Sequence, residues 1–527
     1  MTAKLRRGGA VLAVAALALV AACTGPDAPD EADSSTAAPD STETASASPE
    51  SVPAVDPAET VDLVAGGAGL EVDVYPLTRS GDHLVLTMDL STDADDVFIH
   101  DLFGGEVTDS PVQGGGIRLA DLDAKEVYLL GLDAQGDPVG AGERLDSVGT
   151  DGLRVQRVYA APAEPVESMG VLLPGAYLDE VPVVDGEIPA PALTSAEDAS
   201  AEPVEATDPS EVAEAHVLPL ESFSAELDGA VKVLESTEEI TVSLGGDVLF
   251  DSSSAKLRPD AQQAIDAAAR RIQDRAPGTV AVVGHTDDVG DDASNQKLSQ
   301  RRAEAVADAL GERLDTAQYP LETSGQGENE PLVANTSDEN RQLNRRVELT
   351  LVSEVTTSTE VVAEGELPPF EDGPTGTGAD GVVIESGIRT WRFTVPEARR
   401  AGNSLVVDLQ VTAEDDEVDS GTGPGNLAGY WSYRGDDVTV PRNMLGLTVL
   451  SGASAVYPYD YRIRVDGETE VWNPLGELDT LRRVDGGETV TFTAVYPGVE
   501  DAETVTVQLN HNLGAEPFRL TDIPVVD

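Results

Sequence analysis

Short alternations of apolar and polar residues, punctuated by glycine, recur through the first and last thirds of the chain and predict strands. Leu70-Glu71-Val72-Asp73-Val74 and Leu84-Val85-Leu86-Thr87-Met88 read as strands, with a turn at Ser80-Gly81-Asp82 between them. Val127-Tyr128-Leu129-Leu130 and Leu153-Arg154-Val155 continue the series, so residues 61–185 are expected to form a β-sandwich. Residues 381–527 are strand-rich in the same way. Between them, over 236–354, two periods mix. Ile240, Val242 and Leu244 alternate, and with Gly245-Gly246 and Val248-Leu249-Phe250 they read as a first strand or hairpin. Pro259 opens a helix whose buried face is Ile265, Ala268 and Ile272, and Pro277-Gly278 ends it. Thr279 to Val283 is a β-branched strand. A second helix is expected over Asn295 to Leu314 with Ala303, Val306 and Leu310 on its core stripe, followed by strands at Leu321 to Thr323 and Val347 to Leu351. The order β-α-β-α-β-β predicts an α+β sandwich with its helices on one side of a small sheet.

The stretches between these regions are acidic and rich in Pro, Ala, Ser, Thr or Gly. Residues 23–60, 186–235 and 355–380 are expected to be linkers. The first has almost no large apolar residue to offset its ordering entropy and is expected to be a disordered acidic tether. The end of the chain, Arg519-Leu520-Thr521-Asp522-Ile523-Pro524-Val525-Val526-Asp527, echoes Tyr177-Leu178-Asp179-Glu180-Val181-Pro182-Val183-Val184-Asp185. Val495-Tyr496-Pro497 echoes Val158-Tyr159, and Ser404 to Leu409 echoes His83 to Met88. Three echoes in one order predict an internal duplication, hence two related β-sandwiches flanking the α/β module. These flanks look like the immunoglobulin-like domains of extracellular bacterial lipoproteins.

Composition narrows the partners. The chain has 527 residues, a formal net charge of -64 and a pI near 4.1. Nucleic acid is excluded as a partner on this reading, because a phosphate backbone needs a basic footprint. Cys23 is the only cysteine, so no disulfide can form within the chain. Its position is informative: Lys4, Arg6 and Arg7 precede a short apolar run from Ala10 to Val20, too short to span a bilayer, and Val20-Ala21-Ala22-Cys23 follows. This resembles a bacterial lipobox. The resemblance implies that residues 1–22 are a signal peptide and that Cys23 carries lipid, palmitate included. The protein would then be held by lipid to a membrane of the cell envelope, on its extracytoplasmic side.

The chemistry concentrates between Gly284 and Ala303. Asp287 lies on the loop leaving a predicted strand, and Asn295, Leu298 and Arg302 follow at i, i+3 and i+7 on one helix face. An acid and an arginine brought together this way can clamp a small zwitterion, the acid taking an ammonium and the guanidinium fork a carboxylate. The same two residues could instead form a structural ion pair. Arg345 and Arg346 could brace the sheet or reach a ligand. No metal site is expected: His285-Thr286-Asp287 lacks a third ligand, and Asp288, Asp291 and Asp292 match a calcium loop only in composition. The five histidines are scattered, no nucleophile elbow, phosphate loop or zinc-protease motif is present, and no cofactor or enzymatic activity is expected.

Five blocks in order carry a family resemblance: Phe250-Asp251 with Leu257; Gly284 to Asp287 with Gly290; Asn295, Leu298-Ser299 and Arg302-Ala303; Gly325 to Glu328 with Pro331; and Asn344 to Glu348. The module resembles the OmpA-like peptidoglycan-binding domain. The resemblance implies that Asp287 and Arg302 grip the diaminopimelate of the cell-wall peptide, and that Phe250, Asp251, Asn295 and Leu298 line the same groove. The expected function is a non-catalytic lipoprotein tethering membrane to wall. The alternative is a surface recognition or adhesion protein whose β-sandwiches bind an unknown partner, the central module only docking it to the wall.

Overall fold

In the computed structural model the described residues are 56–99, 102–103, 116–141, 147–190, 207–353, 366–386, 389–416, 423–425, 427, 443–465, 469–500, 502–510 and 516–527. The expected signal peptide, Cys23 and nearly all of the tether lie outside them. The described residues fall in one unit, Val55–Asp527.

The first region contains β1 (Glu59–Ala65), β2 (Ala68–Val74), β3 (Leu77–Ser80), β4 (His83–Ser91), β5 (Val97–Phe98), β6 (Arg118–Asp121), β7 (Glu126–Tyr128), β8 (Ser147–Val148), β9 (Leu153–Ala160), β10 (Ser168–Leu173) and β11 (Ala176–Asp185). Gly66 and Gly67 both take positive φ (53° and 77°), which gives the two-residue turn between β1 and β2 a twist that matches the paired strands. Leu70, Val72 and Val74 bury one face of β2, while β4, which pairs along both edges, is buried on both faces from Leu84 to Met88. The Ser80-Gly81-Asp82 turn joins β3 to β4, so a strand lies between the two that the sequence pattern connects directly.

The centre follows with β12 (Val217–Pro219), β13 (Ser222–Glu226), β14 (Val231–Glu235), β15 (Glu239–Gly245), α1 (Gly246–Leu249), α2 (Ala261–Gln273), β16 (Val280–His285), α3 (Asp292–Gly311), β17 (Leu321–Gly327), α4 (Asp338–Asn344) and β18 (Arg346–Val352). Every α-helix among the described residues is here. Ile265, Ala268 and Ile272 of α2 and Ala303, Val306 and Leu310 of α3 pack with Ile240, Val242, Leu244, Val347, Leu349 and Leu351 in one core. Two details depart from the sequence pattern. Val248 and Leu249 belong to a single helical turn, not a strand, with Phe250 bridging to Leu257. A seven-residue helix, α4, precedes the last strand, its Ser337 cap accepting from Asn340 N.

The last region contains β19 (Thr375–Thr377), β20 (Val382–Ser386), β21 (Arg389–Thr394), β22 (Ala398–Ala401), β23 (Ser404–Ala413), β24 (Leu447–Ser451), β25 (Ser454–Val456), β26 (Asp460–Val465), β27 (Thr469–Pro474), β28 (Thr489–Pro497), β29 (Thr504–Leu509) and β30 (Phe518–Val526). Its pairing order, β20-β21-β23-β22-β30-β29-β24-β25-β13 with β28 on β23, repeats that of the first region, β1-β2-β4-β3-β11-β10-β6-β7-β12 with β9 on β4. Even the parallel contact recurs, β11 beside β3 and β30 beside β22. Each region has its own apolar core.

Residues 186–235 are therefore not a linker throughout. Within them β12 adds to β7 of the first region, β13 adds to β25 of the last, and β14 pairs with both β13 and β15. The sheet of the central module thus runs without a break into that of the last region. These strands have three to five residues and acidic flanks. What holds them is the edges of partners distant in sequence, which local composition does not report. Likewise, β19 lies inside the stretch 355–380 and pairs in parallel with β30. The two β-regions also meet directly. Arg118, 2% exposed, donates to the backbone oxygens of Pro474 and Gly476 and to the Tyr461 hydroxyl. An apolar cluster including Leu129, Leu172, Tyr459 and Leu475 surrounds that seam.

Candidate functional site

The site lies where β16 ends. Gly284 allows the strand to approach α3 closely: a Cβ there would sit 2.2 Å from Ser299 O. The chain then turns through Gly290 at φ +120° and enters α3, where Asp291 caps the helix by accepting from Ser294 N. Asn295 in the first turn locks this loop. Its Nδ2 donates to Asp287 O and Val289 O, both at 3.3 Å, and to Glu328 Oε2 at 2.7 Å. Strand end, loop and helix start are thereby one rigid corner, and Arg302 stands two turns further along the same face.

Phe250, Asp251, Asp287, Asn295, Leu298 and Arg302, the six residues singled out in the sequence, line one cleft of about 450 Å³. Their roles differ. The Arg302 guanidinium lies 5.1 Å from the Phe250 ring centroid, and its Nε donates to Ser254 O at 3.0 Å. Burial pulls the Arg302 guanidinium below the usual arginine range, and Asp247 and Asp287 oppose that pull. Asp251 is at the mouth, its side chain 79% exposed and 3.8 Å from Arg258. Leu298 is half-buried on the wall, whereas Asn295 is mainly a brace.

Asp287 is not paired with Arg302. Its Oδ2 accepts from Arg345 Nη1 at 2.7 Å and its Oδ1 from Val289 N at 3.2 Å. Arg345 in turn grips Asp247 in bidentate fashion, at 2.8 and 2.6 Å. The hydrogen bond from Arg345 holds the Asp247 carboxyl below its ordinary range against the effect of burial. Three charged groups, Asp247, Arg345 and Asp287, thus form one edge of the cleft, and Arg302 faces it from the helix side. Asp247 and Val289 also line the cleft, and neither stands out in the sequence. Asp247 reaches the site only because α1 turns the chain there, and Val289, 65% exposed at the lip, follows the acid in a loop with no periodicity. The Asn344-Arg345-Arg346 block gave a signal, without saying which arginine faces the cleft.

Behind the cleft, His285 is 1% exposed, with Nε2 3.5 Å from Glu348 Oε2, and Arg346 Nε donates to Glu348 Oε1 at 2.6 Å. Burial pushes the Glu348 carboxyl up, but His285 and Arg346 overcome it and hold it at about 2. Among the described residues no three His, Cys, Asp or Glu side chains are placed to hold a metal ion, and no helix is long and apolar enough to cross a membrane.

A family model for the OmpA family matches residues 249–345. This stretch is an OmpA-family domain. It contains the whole cleft apart from Asp247. The chain is 36% identical over 122 residues to the Probable lipoprotein YiaD of Escherichia coli, which covers 23% of this chain and 55% of that protein. It is 39% identical over 102 residues to Outer membrane protein A of Shimwellia blattae, 19% of this chain and 42% of that protein. The chain spans about half the length of these curated relatives. Among solved structures, it is 36% identical to the cell wall anchor of the T6SS from Pseudomonas aeruginosa, over 24% of this chain and 89% of that one, with a TM-score of 0.22. The peptidoglycan-associated lipoprotein from Burkholderia pseudomallei is 28% identical over 19% of this chain and 86% of that one, with a TM-score of 0.17. The β-rich sheets on either side of residues 249–345 are additional to the OmpA-family domain.

Proposed function

We propose that this protein is a non-catalytic lipoprotein of the cell envelope that binds peptidoglycan through the diaminopimelate of the stem peptide and ties a membrane to the wall. The observation that carries this reading is the cleft itself, which presents the Asp287 carboxylate on one edge and the Arg302 guanidinium on the other. The free end of a diaminopimelate side chain carries an ammonium and a carboxylate on one carbon. Asp287 accepts from the ammonium, sharing its charge with Arg345, and Arg302 takes the carboxylate through its terminal nitrogens. Its Nε already bonds to Ser254 O, which fixes the plane of the fork before the ligand arrives. Lysine has the ammonium without the carboxylate, so the arginine supplies the selectivity, worth about 1–3 kcal/mol.

Lipid on Cys23 supplies the second attachment. The 35 residues from Thr24 to Ala58 would reach at most roughly 120 Å fully extended. Two modest attachments on one chain gain avidity where that reach spans the gap between membrane and wall. Because β13 and β14 join the OmpA-family domain to the last β-region, wall binding also fixes the position of the β-sheets, which serve as a spacer or hold a further partner.

Calorimetric titration of the full chain tests this reading, using a stem peptide bearing diaminopimelate against the same peptide bearing lysine. Tighter binding of the first by about 10- to 100-fold, with the preference erased in Arg302→Ala, is the expected result. Equal affinities for both peptides would overturn it.

A further inference from the structure

The sheet of the OmpA-family domain packs α2 and α3 on one face, and on its other face, towards α4, lies a second cavity of about 450 Å³. We propose that this cavity is a separate ligand site, a pocket for a small carboxylate with an apolar tail. The strand register builds it. Val231 and Val233 of β14 point into the helix-side core, so Lys232 and Leu234 point to the opposite face. Lys232 pairs with Ala225 on one side and Ser243 on the other, and Ser243 pairs in turn with Glu348. In the next row Leu234 stands between Phe223 and Thr241. Leu332 and Leu343, flanking and within α4, close the pocket opposite the sheet. Lys232 and Ser243 make one part of the pocket polar, and Phe223, Leu227, Leu234, Val248, Leu332 and Leu343 supply its apolar lining, the form of a site for an amphiphile.

The charges settle the sign of the head group. Arg346 and Glu348 neutralise each other at 2.6 Å, and Arg345 is taken by Asp247 and Asp287. Lys232 has no hydrogen-bond or ion-pair partner among the described residues. This is out of place in a chain with 97 acidic and 33 basic side chains, where counter-charges abound. The acids that line the pocket besides Glu348 and Asp247, Asp228 and Glu339, are exposed at its rim and screened by solvent. Partial burial, helped by Arg346, pulls the Lys232 ammonium below the usual lysine range, in keeping with a cation that has no counter-ion beside it. A carboxylate beside it supplies that counter-ion, and its alkyl tail covers Phe223, Leu234 and Leu343. The pocket needs the β13–β14 hairpin for one of its walls, so the OmpA-family domain alone would not have it.

Titration of the full chain with octanoate tests the proposal, with octylamine and acetate as controls and the diaminopimelate peptide added in a separate arm. Octanoate is expected to saturate with a Kd below about 1 mM, while octylamine and acetate do not. Lys232→Met is expected to weaken octanoate at least about 10-fold, Lys232→Arg by less than about 3-fold, and Arg302→Ala not at all. Leu343→Asn, which spares the cation, should also weaken octanoate, and the melting temperature of each variant shows that it is folded. The proposal is overturned by the absence of saturable octanoate binding, by unchanged affinity in folded Lys232→Met, or by displacement of octanoate by the diaminopimelate peptide. The last result would make the cavity an extension of the neighbouring cleft.

Discussion

The central sheet has a buried arginine at each end, and the two are used in opposite ways. Arg275, whose side chain is 0% exposed, donates to the backbone oxygens of Ser236, Thr237 and Ser353 where β14, β15 and β18 begin or end. The Tyr319 hydroxyl donates to the Arg275 backbone oxygen at 2.8 Å. It seals the module where the chain enters and leaves. Arg302, at the other end, has one backbone acceptor, an aromatic ring beneath it, and an open cleft in front. A buried guanidinium whose nitrogens are mostly taken by carbonyls is structural. One held by a single bond at the edge of a cavity is available to a ligand. Burial and charge alone do not separate them; the number of acceptors already in place does.

The comparison can be broken most severely at Arg275. Arg275→Ala leaves three part-buried carbonyls without their donor and should cost ~3–5 kcal/mol in denaturant unfolding. Arg302→Ala should change stability by less than ~1 kcal/mol and yet lower affinity for the diaminopimelate peptide by about 30- to 100-fold, read by calorimetry. If the two variants exchanged these effects, the assignment of roles would be wrong.

The next effect is acid sensitivity at the cleft end. The Glu348 carboxyl is held at about 2 in the folded protein against an ordinary 4.5. Its contribution is therefore complete above about 4.5 and is lost as the pH falls towards 2, a loss on the order of 2–3 kcal/mol. Unfolding midpoints between pH 6 and pH 2 should show a shallower fall in Glu348→Gln than in the parent. Identical slopes would mean that Arg346 does not hold an ionised Glu348. The smallest effect is expected at Val289, exposed on the lip. Val289→Ser should leave stability within about 0.5 kcal/mol and weaken the peptide 2- to 3-fold, through lost apolar contact alone.

The two ends also differ in how far the sequence exposes them. The cleft was legible because its pieces are local: a strand, a glycine, an acid on the loop, then Asn295, Leu298 and Arg302 at helical spacing. Its second acid was not, because Asp247 and Arg345 are 98 residues apart in the chain. Val248-Leu249-Phe250 is too short a run to show a period, and it forms a helical turn. The seal is carried by Arg275 bonding to Ser236 and Ser353, with no local pattern at any of the three. The hairpin over 222–235 reads as a linker for the same reason. Its Phe223, Val231 and Val233 are few, and only the edges of β15 and β25 make strands of them. The duplication was visible as three echoes, while the matching order of nine strand pairings needs both sheets.

Co-sedimentation of the full-length protein with purified sacculi, of diaminopimelate and of lysine type, tests the central claim most directly. The account predicts pelleting with the first and not the second, lost in Arg302→Ala and kept in Lys232→Met. Pelleting with both wall types, or pelleting that survives Arg302→Ala, would contradict it.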